Sequence, residues 1–147
     1  MTKETALATG NNKLLKYKYL EPEEKWERQR NIEIIKNGNL THALTFNSNQ
    51  VWSKRLLTKK IHEWERQFKQ YAGEIIIMKF IEHAGGNSHI HSVARLSGRQ
   101  RIALTKKGKL IWETLTGGQG RLYIDTYGTD GIAVYITKDN EMIITSA

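Results

Sequence analysis

Glu74-Ile-Ile-Ile-Met-Lys-Phe-Ile-Glu82, the turn Gly85-Gly86-Asn87, and Ser88-His-Ile-His-Ser-Val-Ala-Arg-Leu96 follow one another closely, and together they decide the fold. The first run is rich in β-branched residues, which suit a pleated, half-buried surface. A tight Gly-Gly-Asn connection between two extended runs predicts a hairpin, so residues 88–96 return antiparallel beside residues 74–82.

Working outward, apolar Leu56, Leu57, Ile61, Trp64 and Phe68 recur at three- and four-residue steps between Ser53 and Tyr71, with Lys and Arg between them. That spacing predicts an amphipathic helix, closed by Gly73. Upstream, Pro22 followed by Glu23 and Glu24 predicts a helix over 22–36. Asn37-Gly38-Asn39 breaks it, and Leu40 to Phe46 alternates as a strand ended by Asn47-Ser48-Asn49. Downstream, Thr105 is expected to cap a helix to about Leu115, ended by Gly117-Gly118-Gln119-Gly120. Residues 121–127 are expected to be extended. Thr129 or Asp130 is expected to cap a last helix to about Lys138, before a short strand at 142–145. Helices interleaved with a hairpin-containing set of strands predict an α+β domain, a central antiparallel sheet flanked by helices.

The chain has 147 residues, and 39% of them are hydrophobic, which suits one domain, with residues 1–12 a polar and flexible start. Lys and Arg number 23 against 15 acids, a formal charge of +8, which favours a polyanionic partner and, being spread through every element, nucleic acid over a membrane surface. No cysteine is present, which excludes disulfides, thiolate zinc sites and cysteine nucleophiles and suits a cytoplasmic setting. No apolar run approaches the roughly 20 residues of a membrane span.

Side chains alternate along a strand, so His89 and His91 share a face while Ile90 enters the other. Two imidazoles then converge, and Glu82 on the partner strand offers an oxygen to the same face. His83 takes that place if the register slips by one. Two nitrogens and one oxygen with open positions suit a divalent metal, manganese or magnesium ahead of zinc, polarising a phosphate oxygen. In the tail, Tyr135 and Lys138 are three apart and would be neighbours on one helical face. A phenol can attack phosphorus when a cation offsets the developing charge. Taken alone, the two histidines read as a chance pair on a polar face, and Tyr135 as a core aromatic.

Leu44-Thr-Phe-Asn47, Glu82 with His89-Ile-His91, and Tyr135-Ile-Thr-Lys138 occur in the order of three motifs of one family. From about Leu40 to Lys138 the chain resembles an HUH endonuclease, in particular the single-tyrosine rolling-circle replication initiators. The resemblance implies a ferredoxin or RRM-like sheet with the His strand central and the Tyr helix beside it. It also implies Glu82, His89 and His91 as metal ligands, Tyr135 as nucleophile and Lys138 as its cation. The implied reaction nicks single-stranded DNA at an origin or hairpin, leaving tyrosine on the 5′ phosphate and a free 3′ hydroxyl. Tyr127 is the runner-up nucleophile, and Tyr123 is also near in sequence. Only nine residues follow Lys138, so a helicase supplied by the host is the expected partner, unless this is the nuclease part of a longer protein. Single-tyrosine transposases share the motifs. A non-catalytic nucleic-acid-binding module, or metal-activated water without a tyrosine adduct, are the readings from other classes.

Arg95, Arg99, Arg101, Lys106 and Lys107 follow the His strand and are expected to reach DNA entering the site. Asn47 and Trp52 are two further expected DNA contacts, whereas Trp26, Trp64 and Trp112 are read as core. The cations of the helix over 53–71 are read as a solvated face.

Overall fold

Residues 19–82 and 86–143 are described by the structure, a computed structural model. The expected N-terminal start (1–12), His83, Gly85 and the end of the last strand at 144–145 lie outside them. Five strands form one sheet: β1 (His42–Asn47), β2 (Ile76–Glu82), β3 (His89–Arg95), β4 (Arg121–Thr126) and β5 (Met142–Ile143). Four helices accompany them among the described residues: α1 (Pro22–Lys36), α2 (Lys54–Ala72), the continuous α3, and α4 (Gly131–Ile136). Within α3, a π-helical stretch Leu104–Gly108 joins Gly98–Ala103 to Lys109–Leu115. None of these helices is long and apolar enough to cross a membrane.

The strand order is β4-β1-β3-β2-β5 with every pairing antiparallel, so the fold is α+β with the His strand at the centre, as the hairpin reading predicts. Strand parity then sorts the core. Leu44, Phe46, Ile81, Ile90, Ala94 and Leu122 face α2 and α3. Phe80 and Val93 face α1 and α4, meeting Ile32, Ile35, Ala133 and Ile136. The molecule is therefore three layers deep, with the larger core between the sheet and the α2–α3 pair.

That larger core is built on aromatics. Phe46 meets Trp64 and Trp112 edge-on, at 4.7 and 5.2 Å between ring centroids. Both indoles are fully buried, and their N–H groups donate to the Gly108 and Asn47 carbonyls at 2.9 Å each, so neither carries an unsatisfied donor inside. Gly108 is required by this packing: a Cβ there would lie 2.8 Å from Leu104 Cδ1 and 3.3 Å from the Trp64 ring.

Three expectations are corrected. The cap of α3 is Ser97, in a reciprocal box with Gln100, so the helix starts at Gly98; Thr105 lies inside it, its hydroxyl donating to the Arg101 carbonyl. The last helix stops at Ile136, short of Lys138, and neither Thr129 nor Asp130 caps it by a side chain, because the Asp130 carboxylate is taken by the Tyr127 hydroxyl at 2.9 Å. Trp26 is not core but 81% exposed on the outer side of α1.

One charge sits inside the larger core. Lys79 is fully buried on β2, and its ammonium is paired with Glu65 of α2, which is 17% exposed. Burial pushes the Lys79 ammonium down to about 8. Glu65→Ala would take from that buried ammonium the carboxylate it is paired with and is expected to cost about 3–5 kcal/mol in denaturant unfolding near neutral pH. Lys79→Met, which removes the charge and keeps the volume, is expected to leave stability unchanged or raised.

Candidate metal centre

The site is assembled by strand parity. Ile90 is fully buried against the α2–α3 side, which turns His89 and His91 to the α1–α4 side, each 17% exposed. In the hairpin Glu82 stands opposite His89 and Phe80 opposite His91, so the carboxylate arrives on the same face. Across the other edge of β3, Thr45 is opposite His91 and Asn47 opposite His89.

Glu82 organises the cluster with both oxygens. Oε2 meets His89 Nε2 and lies 2.8 Å from His91 Nε2, while Oε1 accepts from the Lys138 ammonium and from the Tyr135 hydroxyl at 3.1 Å. Burial on its own pushes the Glu82 carboxyl up, but hydrogen bonds from His91 and Lys138 and the charges of both imidazoles hold it down to about 2. It is a carboxylate at any working pH.

The outer ring nitrogens are also engaged. His89 Nδ1 lies 2.8 Å from the Asn87 carbonyl, and His91 Nδ1 lies 3.3 Å from Thr45 Oγ1. A carbonyl only accepts, so Nδ1 of His89 carries a proton. Its Nε2 then faces a carboxylate oxygen, a contact that either a second proton on the ring or a metal ion shared by the two groups satisfies. Ligand atoms of Glu82, His89 and His91 all lie within 4.8 Å of one another. Two imidazole nitrogens and one carboxylate oxygen, with an acceptor fixing one tautomer from behind, are a group that could hold a metal ion.

Tyr135 and Lys138 join this cluster, although not as neighbours on a helix. Thr137 ends α4, and Lys138 follows in the turn, its backbone N–H donating to the Tyr135 carbonyl at 3.3 Å. The ammonium sits 3.8 Å from the centre of the Tyr135 ring, and that ring meets His91 edge-on at 5.3 Å. Burial lowers the Lys138 pKa, but hydrogen bonds with Glu82 and Tyr135 raise it above the usual lysine value. Tyr135 itself is 45% exposed.

No protein-family profile matches the chain, and no curated protein matches it in sequence. Among solved structures, the hypothetical protein ORF119 from Sulfolobus islandicus rod-shaped virus 1 is similar over 82% of this chain and 99% of that one, at a TM-score of 0.48 and 10% identity.

The other two tyrosines separate clearly. Tyr127 packs against the α1–α4 core and donates to Asp130, and burial together with that carboxylate pushes its phenol up to about 12. Tyr123 is 52% exposed on β4, on the site face, in register with Thr45 and so two strands from His91.

The expected DNA contacts do not converge on the cluster. Asn47 is beside it in register, with its side-chain oxygen accepting from the Asn49 backbone N–H at 2.8 Å. Arg95 is at the opposite end of β3, where its guanidinium donates twice to the Gly38 carbonyl, at 2.7 and 3.1 Å. Arg99, Arg101, Lys106 and Lys107 are exposed on α3, which packs on the other face of the sheet. Trp52 is half-buried against Trp112 on that same side.

Thr45 and Arg28 went unread as site-positioning residues. Thr45 needs the β1–β3 register, and Arg28 needs the tertiary contact of α1 with the end of α4. Arg28 Nη2 donates to the Val134 carbonyl at 2.8 Å, and its Nε to Thr137 Oγ1 at 3.3 Å.

Proposed function

We propose that this chain is a metal-dependent enzyme that nicks and rejoins single-stranded DNA through a covalent 5′-phosphotyrosine, with Tyr135 as nucleophile. The observation that supports it is the division of one carboxylate: both histidine Nε2 atoms meet one oxygen of Glu82, and the Tyr135 hydroxyl and Lys138 ammonium meet the other. A phenol, a cation and a three-donor metal cluster thus lie within one side chain's reach. A manganese or magnesium ion held by Glu82, His89 and His91 would supply Lewis acidity toward a non-bridging phosphate oxygen.

The chain's own residues do the rest. Glu82 Oε1 accepts the phenol's hydrogen bond and aims its oxygen. Lys138 offsets the charge that develops on that oxygen as its proton passes to solvent water. The Tyr135 oxygen forms a bond to phosphorus, the bond from phosphorus to the 3′ oxygen breaks, and the released 3′ oxygen takes up a proton. Because one phosphodiester replaces another, the step is reversible, and a 3′ hydroxyl is left to prime synthesis or to rejoin. That chemistry suits initiation of rolling-circle replication of a plasmid or virus, with transposition as the alternative use.

The test is incubation with manganese and single-stranded oligonucleotides, read on a denaturing gel for a protein-DNA adduct. Adducts are expected with manganese and absent with chelator. Cleavage to water-derived ends with no adduct at any time would overturn the reading in favour of an activated water.

Arg28 is a positioning residue in this scheme, since it grips the end of the helix that carries Tyr135. Arg28→Ala is expected to slow single-turnover adduct formation by about 10- to 100-fold, the scale of a small misplacement of a reacting group. Manganese affinity measured by calorimetry should be unchanged, and Arg28→Lys, which offers one donor head in place of a fork, should recover only part of the rate.

A further inference from the structure

Cations occur along the whole chain, as the sequence reading has it, but outside two helices they are offset in number by acids. Helix α2 carries six basic and two acidic side chains and α3 five basic and one acidic, so the two helices hold the entire formal charge of +8 and the remainder of the chain is balanced. Both helices lie on the sheet face opposite His89 and His91. We propose that the α2–α3 surface is a docking surface for the phosphate backbone of duplex DNA, separate from the metal cluster.

The two acids of α2 are already committed. Glu65 is held by buried Lys79, and Glu63 by Arg66 and Gln67 of its own helix. Arg55, Lys59, Arg99, Lys106 and Lys109 are exposed and make no ion pair with a carboxylate among the described residues. The helices run side by side in opposite directions: Gln100 donates to the Ala72 carbonyl at 3.2 Å near one end, and Trp64 to Gly108 further along. At about 1.5 Å per residue the 19 residues of α2 span roughly 28 Å, enough to follow several phosphates.

The surface also lacks what a single strand would use. Trp64, Phe68 and Trp112 are buried, and the exposed aromatic Tyr71 has Lys107 over its ring at 5.3 Å. Unstacked bases would find no free platform on these helices, whereas a backbone of regularly spaced phosphates needs only cations. Exposed Ile102 and Leu110 stand two turns apart on α3, too few for a face seated in lipid. The inference does not depend on the reaction proposed for the other face.

The test uses the full chain in chelator, so that no cleavage intervenes, and a blunt 20-base-pair duplex followed by fluorescence anisotropy across a salt series. The combined variant Lys59→Glu, Arg99→Glu, Lys106→Glu, Lys109→Glu is expected to lose duplex affinity by 100-fold or more at 50 mM salt. The slope of log affinity against log salt should fall by about 3 to 4, one near-unit step per phosphate contact removed. Manganese binding at the other face should be unchanged; if the four reversals impair folding, the same four positions as Gln serve. Duplex binding retained in the folded variant overturns the proposal. So does wild-type binding to anionic phospholipid vesicles with none to duplex, or equal loss of duplex binding in Lys36→Glu on α1, which packs on the other face of the sheet.

Discussion

Tyr135→Phe is expected to remove the covalent adduct altogether, a loss of at least about a thousandfold, while single-stranded DNA and manganese still bind. The substitution deletes one oxygen and keeps the ring that packs edge-on against His91 and lies under the Lys138 ammonium. Glu82 Oε1 loses one of two donors but keeps Lys138. The metal cluster should therefore survive, which calorimetry with manganese checks on the same sample. Tyr127→Phe should form adducts at the normal rate, since its phenol is committed to Asp130 and pushed up to about 12. Tyr123→Phe is the sharper control, because that phenol is exposed on the same face; two strands of separation put it about 9–10 Å from the His strand. Adducts that persist in Tyr135→Phe and vanish in Tyr123→Phe would transfer the nucleophile's role to β4. Cleavage that continues in Tyr135→Phe without any adduct would transfer it to water.

The candidate metal cluster was legible because it depends on the most local of rules. A strand's two-residue period puts His89 and His91 on one face whatever surrounds them, and a tight turn brings the preceding strand back so that Glu82 faces His89. The meeting of Tyr135 and Lys138 was legible too, but by a different route, since a turn after a six-residue helix brings them together. What the chain does after β3 was not. Gly98 to Ala103 include no buried residue, so the first turns of α3 show no apolar stripe; the legible signal there was the Ser97-x-x-Gln100 box. Missing that start also hid where the basic cluster goes. Closeness in sequence to the His strand says nothing about which face a following helix covers, and α3 covers the far one. Trp26 fails for a related reason: α1 buries only Asn31, Ile32 and Ile35, all in its second half, and so gives an indole at its start nothing to pack on.

Glu82→Gln carries the second large effect, because this one side chain is both a ligand and the counter-ion of a buried lysine. Lys138 is 4% exposed and Glu82 8%, so neutralising the carboxylate takes from a buried ammonium the anion it is paired with. Removing one partner of such a pair costs about 3–5 kcal/mol. The sign with pH follows from the depressed carboxyl. Held down to about 2 in the fold against about 4.5 unfolded, it contributes stability above pH 4.5 that is lost as pH falls toward 2, about 3 kcal/mol in metal-free protein. Urea midpoints of the wild type in chelator should fall over that window, and those of Glu82→Gln should lose that share of the fall. Instability alone would not make Glu82 a ligand, so the decisive protein is the double variant Glu82→Gln, Lys138→Met. With the buried ammonium gone, its stability should return most of the way. Its manganese affinity should stay at least about tenfold weaker than wild type, since an amide oxygen is a poorer donor than a carboxylate for a hard divalent ion. Restored manganese binding in the double variant would mean that Glu82 serves only Lys138, and that the metal, if one is used, is held by the two histidines with some other oxygen.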